Sequence, residues 1–128
     1  MSTFNPSRRR VLIVDDEWLM REMLADVLEE TGFATSLASS ATEALRLMRR
    51  EPAIDLVVTD VEMPGVLNGV DLARVLIAQR PELGVLIVSG CRPRALPPGA
   101  RFLAKPFVPA ELLRTLNELA LPRVSVAS

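Results

Sequence analysis

Four short apolar runs without polar alternation constrain the fold of this chain more than any other feature of its sequence. Such runs are typical of strands that are buried on both faces of a parallel sheet. They are VLIV (11–14), LVV (56–58), VLIV (85–88) and FLA (102–104). The weaker run FATSLA (33–38) predicts a fifth strand at an edge of the sheet.

Helical periodicity fills most of the intervals between these runs. The predicted helices are 18–31, 41–51, a segment that ends before Pro81 and a segment that begins at Pro109. Ser40 and Glu43 have the spacing of a capping box at the start of the second helix, and Trp18 is expected to be partly buried at the start of the first. Right-handed crossovers turn this alternation into one parallel β-sheet with helices on both faces, which is an α/β fold.

Length and composition restrict the class of protein. The 128 residues, 49% of them hydrophobic, have the size of one domain, for which we expect residues 10–121, with short tails at 1–9 and 122–128. A net charge of −1 gives no field that would favour nucleic acid or a membrane surface as a partner. Because Cys91 is the only cysteine, no internal disulfide can form, which fits a cytoplasmic location.

One interval departs from the regular alternation. Residues 90–101 contain three prolines and no apolar stripe, so we expect no long helix between the fourth and fifth strands. The interval joins Ser89 to Lys105, which is the only lysine among fifteen basic residues. A lysine retained where arginine is otherwise preferred indicates a site that needs a compact ammonium group on a flexible stem.

The carboxyl ends of the predicted strands carry the side chains that we expect to form a site. Parallel strands bring these ends to one edge of the sheet, where ligands bind. The residues are Asp15, Asp16, Asp60, Ser89 and Lys105. Carboxylates held close together repel one another unless a cation shares the site, and oxygen ligands with room for water suit Mg²⁺, or Mn²⁺ in its place.

These side chains suit the transfer of a phosphoryl group to a carboxylate. Asp60 is the candidate nucleophile, while Ser89 and Lys105 are candidates to bind phosphoryl oxygens. The product would be an acyl phosphate, a labile bond that suits a transient signal.

The motifs VLIVDDE, VVTDVEMPG, IVSG and FLAKPF, in this order and spacing, resemble the receiver domain of bacterial two-component response regulators. The resemblance covers residues 10–121. It implies a flavodoxin-like, doubly wound, five-stranded parallel sheet with strand order 2-1-3-4-5. The proline-rich interval then resembles a subgroup of stand-alone receivers in which the fourth helix is shortened or replaced by a loop.

The resemblance also assigns roles at the site. It implies that Asp60 is the phosphoacceptor and that Asp15, Asp16 and Asp60 bind the metal ion together with the backbone carbonyl of Glu62. Glu62 is further expected to modulate the rate of dephosphorylation, because a second carboxylate beside the acyl phosphate alters the field on the attacking water.

A second group of roles concerns the switch between the unphosphorylated and the phosphorylated state. Ser89 and Lys105 take the hydroxyl and lysine roles of the family, and Ser89 and Phe102 form the expected switch pair. The Lys105–Pro106 bond is expected to be cis. Cys91 flanks the site at a position that modulates dephosphorylation in relatives.

The resemblance also implies partners. It implies that the phosphoryl group comes from a phosphohistidine, and because the chain contains no histidine, the expected donor is a sensor histidine kinase or a histidine phosphotransfer protein. No output domain follows residue 121, so we expect a single-domain regulator that signals by phosphorylation-dependent binding to a downstream protein. The expected switch and partner-facing element is the 90–101 loop, with three arginines on its surface: Arg92, Arg94 and Arg101.

Three other functions compete with this interpretation. A phosphorylation-independent interaction module would normally have lost Asp60, Lys105 or part of the acidic pair Asp15 and Asp16, and all four residues are present. A phosphohydrolase of the haloacid dehalogenase type places its aspartate nucleophile on the first strand and its acidic pair last, the reverse of the order found in this chain. A flavin mononucleotide carrier needs a first loop that accepts phosphate, which DDEW would repel.

Overall fold

Residues 9–120 are described by the computed structural model, and the buried apolar runs of the sequence form its strands. The strands are β1 (Arg10–Val14), β2 (Ala34–Ala38), β3 (Ile54–Asp60), β4 (Gly84–Ser89) and β5 (Ala100–Ala104). The helices are α1 (Trp18–Glu30), α2 (Ala41–Arg50), α3 (Gly69–Gln79) and α4 (Pro109–Ala120).

The strands form one sheet in the order β2-β1-β3-β4-β5, and every neighbouring pair is parallel. This arrangement confirms the predicted α/β fold, its strand order and the position of β2 at an edge. The central strands carry no polar alternation because helices cover the sheet on both faces, so neither face of these strands contacts water.

Each face of the sheet packs against a pair of helices. Helices α2 and α3 cover one face, to which the strands contribute Leu12, Val14, Val57, Val85 and Ile87. Helices α1 and α4 cover the other, to which the strands contribute Val11, Ile13, Leu56, Val58, Leu86 and Val88. Alternate residues of β1, of β4 and of the 56–58 part of β3 therefore belong to different hydrophobic clusters, as the pleat of a strand requires. Ile54 belongs to the α2 and α3 cluster, because the register between β1 and β3 shifts after it.

Two local predictions differ from the structure. Strand β3 extends beyond the apolar run 56–58 in both directions, because its polar end residues continue the ladder with neighbouring strands. At the start of α2, the Ser40 hydroxyl accepts a hydrogen bond from the Glu43 N–H, as predicted. The Glu43 carboxylate, however, accepts from the N–H of Ser39 rather than that of Ser40, so only half of the predicted capping box forms.

The segment between β4 and β5 contains no helix among its described residues, 90–99. Leu96 packs against the hydrophobic cluster on the α3 side, and Pro97 is buried. The carbonyl of Pro97 accepts a hydrogen bond from the Ala100 N–H at 3.0 Å, and Gly99 adopts a φ of +96° just before β5 begins. The segment is thus a loop with an apolar anchor and a tight turn into the last strand.

The connection from β3 to α3 approaches the end of β3 very closely. The Gly69 N–H donates to the carbonyl of Val61 at 2.8 Å, and a Cβ at Gly69 would lie only 1.8 Å from the carbonyl oxygen of Asp60. A complete capping box precedes this contact, in which Asn68 and Asp71 each bind the backbone N–H of the other. Together these contacts hold the backbone next to Asp60.

The predicted tails lie outside the described residues except for Arg9. The carbonyl of Arg9 accepts a hydrogen bond from the Ala34 N–H, and its side chain forms an ion pair with Asp55 at 3.3 Å. None of the helices in residues 9–120 has both the length and the apolar content that are needed to cross a membrane.

We expect Gly69→Ala to destabilise the protein. The better helix propensity of alanine is worth at most about 1 kcal/mol, whereas overpacking against a backbone carbonyl costs about 2 kcal/mol. Urea unfolding should therefore show a net loss of stability. Gly90→Ala is the control, because a Cβ there meets nothing within 4 Å, so a change of less than about 0.5 kcal/mol is expected. Equal stabilities of Gly69→Ala and the unmodified chain would contradict this interpretation of the contact.

Candidate functional site

A cleft of about 740 Å³ lies at the carboxyl edge of the sheet. It is lined by the last residues of β3 and β4 and by residues of the loops that follow β1, β3, β4 and β5, which are Asp16, Glu17, Asp60, Val61, Glu62, Met63, Pro64, Asn68, Ser89, Gly90, Cys91 and Lys105. The fold therefore brings together the side chains that the sequence separates by up to ninety positions, as the parallel topology predicts.

Asp60 is the last residue of β3, and both of its carboxylate oxygens are held. Oδ1 accepts a hydrogen bond from the N–H of Val61 at 2.7 Å, and Oδ2 lies 3.0 Å from Nζ of Lys105. The side chains of Asp60 and Lys105 remain 13% and 25% exposed, respectively, so a reactant can still reach the carboxylate. The lysine is thus in direct contact with the candidate nucleophile.

Asp15 lies at the end of β1 and is almost completely buried, at 1% exposed. Its Oδ1 accepts from the N–H of Glu17 at 2.9 Å, while its Oδ2 has no hydrogen-bond partner. Burial raises the pKa of the Asp15 carboxyl above its ordinary value; the Glu17 hydrogen bond opposes this shift, and the nearby Asp60 carboxylate adds to it. The protein therefore keeps the Asp15 carboxyl in an environment that favours its protonated form more than water does.

The unpartnered oxygen of Asp15 belongs to a cluster that can hold a cation. Asp15, Asp16 and Asp60 each offer one carboxylate oxygen, and these three atoms lie within 4.8 Å of one another. A hard divalent ion would supply the partner that Asp15 lacks and would reduce the repulsion within the cluster. The residues present therefore fit the Mg²⁺ site that the sequence predicts, and Glu62 lines the same cleft.

Ser89 and Lys105 lie next to each other on β4 and at the end of β5. The N–H of Lys105 donates to the carbonyl of Ser89 at 2.9 Å, and the Ser89 hydroxyl accepts from the N–H of Cys91 at 3.2 Å. The Lys105–Pro106 peptide bond is cis, in agreement with the sequence prediction. Cys91 is exposed and lines the cleft beside Ser89.

Phe102 lies on β5 opposite Ile87 and is only partly buried. It does not line the cleft, but the guanidinium carbon of Arg92 lies 5.4 Å from the centre of its ring. The switch pair predicted from the sequence, Ser89 and Phe102, therefore lies on adjacent strands, and Arg92 connects the loop after Ser89 to the aromatic ring.

Trp18 differs from the prediction. Its side chain is 66% exposed at the first position of α1, not partly buried. The residue preceding it, Glu17, is the N-cap and forms no side-chain cap hydrogen bond. The indole is therefore presented to solvent, one residue after Glu17, which lines the cleft.

Sequence reasoning missed three residues that support the site. Arg21 of α1 donates to the carbonyl of Asp15 at 2.6 Å, and no sequence pattern distinguishes it from other helical arginines. Asn68 and Gly69 hold the backbone beside Asp60. The spacing of Asn68 and Asp71 is that of a capping box and could have been recognised in the sequence. The close approach of Gly69 to the Asp60 carbonyl could not, because it depends on how α3 packs against the sheet.

A parallel sheet in the order 2-1-3-4-5, with a carboxylate cluster and a lysine at its carboxyl edge, is the arrangement that the resemblance to receiver domains predicts. Residues 11–117 match the family model of the response regulator receiver domain. The chain belongs to this family, whose members act in two-component signal transduction.

Individual relatives agree with the family assignment. The chain is 40% identical over 114 residues to the DNA-binding response regulator MtrA of Mycolicibacterium paratuberculosis, an alignment that covers 83% of this chain and 48% of the relative. It thus spans about half the length of that relative. It is 30% identical to the chemotaxis protein CheY of Thermotoga maritima, over 88% of this chain and 98% of the relative.

A solved structure matches the fold over most of the chain. The CheY-like receiver domain protein of Methanospirillum hungatei superposes with a TM-score of 0.80 at 27% identity, covering 87% of this chain and 92% of that one. The five-stranded order and the placement of the helices therefore agree with an experimentally determined receiver fold.

We expect Asp15→Asn to stabilise the metal-free protein. The amide keeps an oxygen for the Glu17 N–H, removes a buried charge and can donate to neighbouring carboxylates, a change worth about 1 kcal/mol. Because the folded-state pKa of Asp15 is raised, its contribution to stability is present at low pH and is lost as pH rises through that pKa. The variant should therefore also have a smaller loss of stability on raising the pH.

Urea unfolding in the presence of a chelator measures both effects. Asp26→Asn is the matched control, since Asp26 is exposed on α1, and its stability should remain within about 0.5 kcal/mol. If the metal-free Asp15→Asn protein is less stable than the unmodified chain at neutral pH, the buried charge of Asp15 does not destabilise the fold and this prediction is wrong.

Proposed function

We propose that this chain accepts a phosphoryl group from a partner phosphohistidine onto Asp60 and signals through phosphorylation-dependent protein binding. The observation that carries the proposal is the state of the Asp60 carboxylate. It is fixed by Val61 and Lys105, faces an open cleft and adjoins the Asp15 and Asp16 carboxylates. A purely structural aspartate would need neither an open cleft nor two neighbouring carboxylates.

The proposed reaction is an in-line displacement at phosphorus. A carboxylate oxygen of Asp60 forms a bond to phosphorus, the P–N bond to the partner's imidazole breaks, and the imidazole nitrogen keeps the electron pair. The product is an acyl phosphate on Asp60. Attack of water on the phosphorus then releases inorganic phosphate and restores the carboxylate, so the signal ends without a second protein being required.

The other residues of the site have distinct proposed roles. Lys105 brings positive charge against the phosphoryl oxygens, and the Ser89 hydroxyl donates a hydrogen bond to one of them. Asp15 and Asp16 would hold Mg²⁺, or Mn²⁺ in its place, together with Asp60 and the backbone carbonyl of Glu62. When bound, the ion supplies positive charge that offsets the negative charge gathered on the transferring group.

Two residues at the rim have proposed regulatory roles. Glu62 and Cys91 line the cleft, where their side chains can alter the approach or the field of the attacking water. We assign them to the control of the dephosphorylation rate rather than to the transfer itself. Phe102 is proposed to change position together with Ser89 when the acyl phosphate forms.

The proposed donor is a sensor histidine kinase or a histidine phosphotransfer protein, which implies a cytoplasmic location for the reaction. The exposed large hydrophobic side chains among residues 9–120 support such a partner. They are Trp18, Leu19, Met23, Val66 and Val108, and all lie on segments that follow β1, β3 or β5. These segments surround the cleft, so a donor that delivers its imidazole to Asp60 would cover them.

An apolar groove of about 440 Å³ adjoins this surface. It lies between α1 and the loop that begins α4, and its lining includes Met20, Met23, Phe107 and Lys105. Lys105 lines both the groove and the cleft, so a side chain seated in the groove lies next to the site of transfer. Methionine side chains adapt to partners of different shape, which suits a docking surface.

We expect the purified chain to gain one phosphoryl group when it is incubated with Mg²⁺ and a small phosphoryl donor such as acetyl phosphate. Intact mass spectrometry measures the adduct, and Asp60→Asn should abolish it because an amide cannot displace the phosphoryl group. Asp55→Asn is the matched control, since Asp55 lies at the opposite end of the same strand. The proposal fails if no adduct forms, or if Asp60→Asn is modified to the same extent.

We further expect Leu19→Asp and Met23→Asp to slow phosphotransfer from a phosphorylated histidine kinase by about tenfold, since each places a charge in an apolar contact. The rate with the small-molecule donor should stay the same, because neither residue lines the cleft. Stopped-flow or quench measurements with both donors separate docking from chemistry. Equal losses with the two donors would place the defect in the site and contradict the docking surface.

A further inference from the structure

The loop between β4 and β5 presents two arginines that no other described residue neutralises. Residues 90–101 contain three arginines and no acidic residue. Arg101 is paired with Glu118 of α4 at 3.0 Å. Arg92 and Arg94 are exposed, and neither forms a hydrogen bond or an ion pair with any residue from 9 to 120.

A different pair of exposed arginines has a role within the fold. Arg49 and Arg50 lie in the last turn of α2, where positive charge stabilises the carboxyl end of a helix. The loop at 90–99 contains no helix, so Arg92 and Arg94 have no helix terminus of their own to stabilise. Their guanidinium groups remain available to another molecule.

The loop holds these arginines in a defined place. Leu96 packs against the hydrophobic cluster, and the buried Pro97 accepts a hydrogen bond from Ala100. Three prolines restrict the backbone, which reduces the conformational entropy that is lost when a partner binds. The Phe102 ring further orients Arg92, whose guanidinium carbon lies 5.4 Å from the ring centre.

A short series of contacts links these arginines to the cleft. Gly90 and Cys91 line the cleft, and the Cys91 N–H donates to the Ser89 hydroxyl at 3.2 Å. Arg92 follows Cys91 directly in the chain. When the Ser89 side chain turns to donate a hydrogen bond to a phosphoryl group, its distance from the Cys91 N–H changes and the backbone that carries Arg92 shifts, a step that rests on the function proposed above.

We propose that Arg92 and Arg94 form a docking surface for an acidic segment of a partner protein, and that phosphorylation of Asp60 changes its affinity. Guanidinium groups match carboxylates through paired N–H···O bonds, so a segment with aspartates or glutamates on one face complements this surface. Nucleic acid is the poorer complement, because two arginines on a chain of net charge −1 would neutralise few phosphates.

An NMR titration of the ¹⁵N-labelled full chain tests the docking surface. The probes are a glutamate-rich synthetic peptide and the same peptide with glutamine at each glutamate. The glutamate peptide should shift the signals of Arg92 and Arg94, and the double variant Arg92→Gln/Arg94→Gln should raise its Kd by about tenfold. The matched double variant Arg49→Gln/Arg50→Gln carries the same change in charge and should leave the Kd within about twofold.

Three results would overturn the docking surface. They are equal weakening in both double variants, equal binding of the glutamine peptide, and tighter binding of a short single-stranded oligonucleotide at the same two arginines. Each would mean that the loop does not select an acidic peptide.

A second titration tests the coupling to Asp60. Beryllofluoride with Mg²⁺, used as a mimic of the acyl phosphate, should change the Kd of the glutamate peptide severalfold, and Asp60→Asn should remove that change. An unchanged Kd refutes the coupling. If mass spectrometry finds no phosphoryl group on Asp60, the proposed function fails, while the docking surface is still decided by the first titration on the unmodified protein.

Discussion

Repulsion among three carboxylates is the constraint on which the rest of the structure depends. The parallel sheet brings Asp15, Asp16 and Asp60 to one edge, and burial of Asp15 makes its charge costly. Lys105 supplies the only cation found in direct contact with Asp60 among the described residues. The carboxylate cluster therefore carries unbalanced negative charge, which favours the binding of a divalent cation and would oppose the approach of a phosphoryl group unless a cation shares the site.

A rigid scaffold keeps these charges from moving apart. Strands β1, β3 and β4 are buried on both faces, so the residues at their carboxyl ends cannot shift without disturbing two hydrophobic clusters. The Gly69 backbone is packed against the carbonyl of Asp60, and Arg21 binds the carbonyl of Asp15. These contacts involve backbone atoms, so they hold the site in place without using the side-chain oxygens that the chemistry needs.

The loop after β4 gives this receiver domain a different surface from one with a helix there. A helix would present side chains at regular spacing, whereas the loop is anchored by Pro97 and exposes Arg92 and Arg94 next to the cleft. Only Gly90 and Cys91 thus separate Ser89 from the exposed Arg92 along the chain. Exposed hydrophobic side chains lie on the segments after the other strands of the cleft. The proposed phosphoryl donor and the proposed downstream partner can therefore bind different surfaces at the carboxyl edge of the sheet.

The sequence alone determined the fold class, because buried strands and amphipathic helices have different hydrophobic periods. It also determined the Asp60, Lys105 and acidic-pair cluster, since the ends of parallel strands must share one edge. Tertiary packing alone decided the close approach of Gly69, the exposure of Trp18 and the contact of Arg92 with Phe102. These features depend on distances between elements that are remote in sequence, and local residue patterns carry no information about such distances.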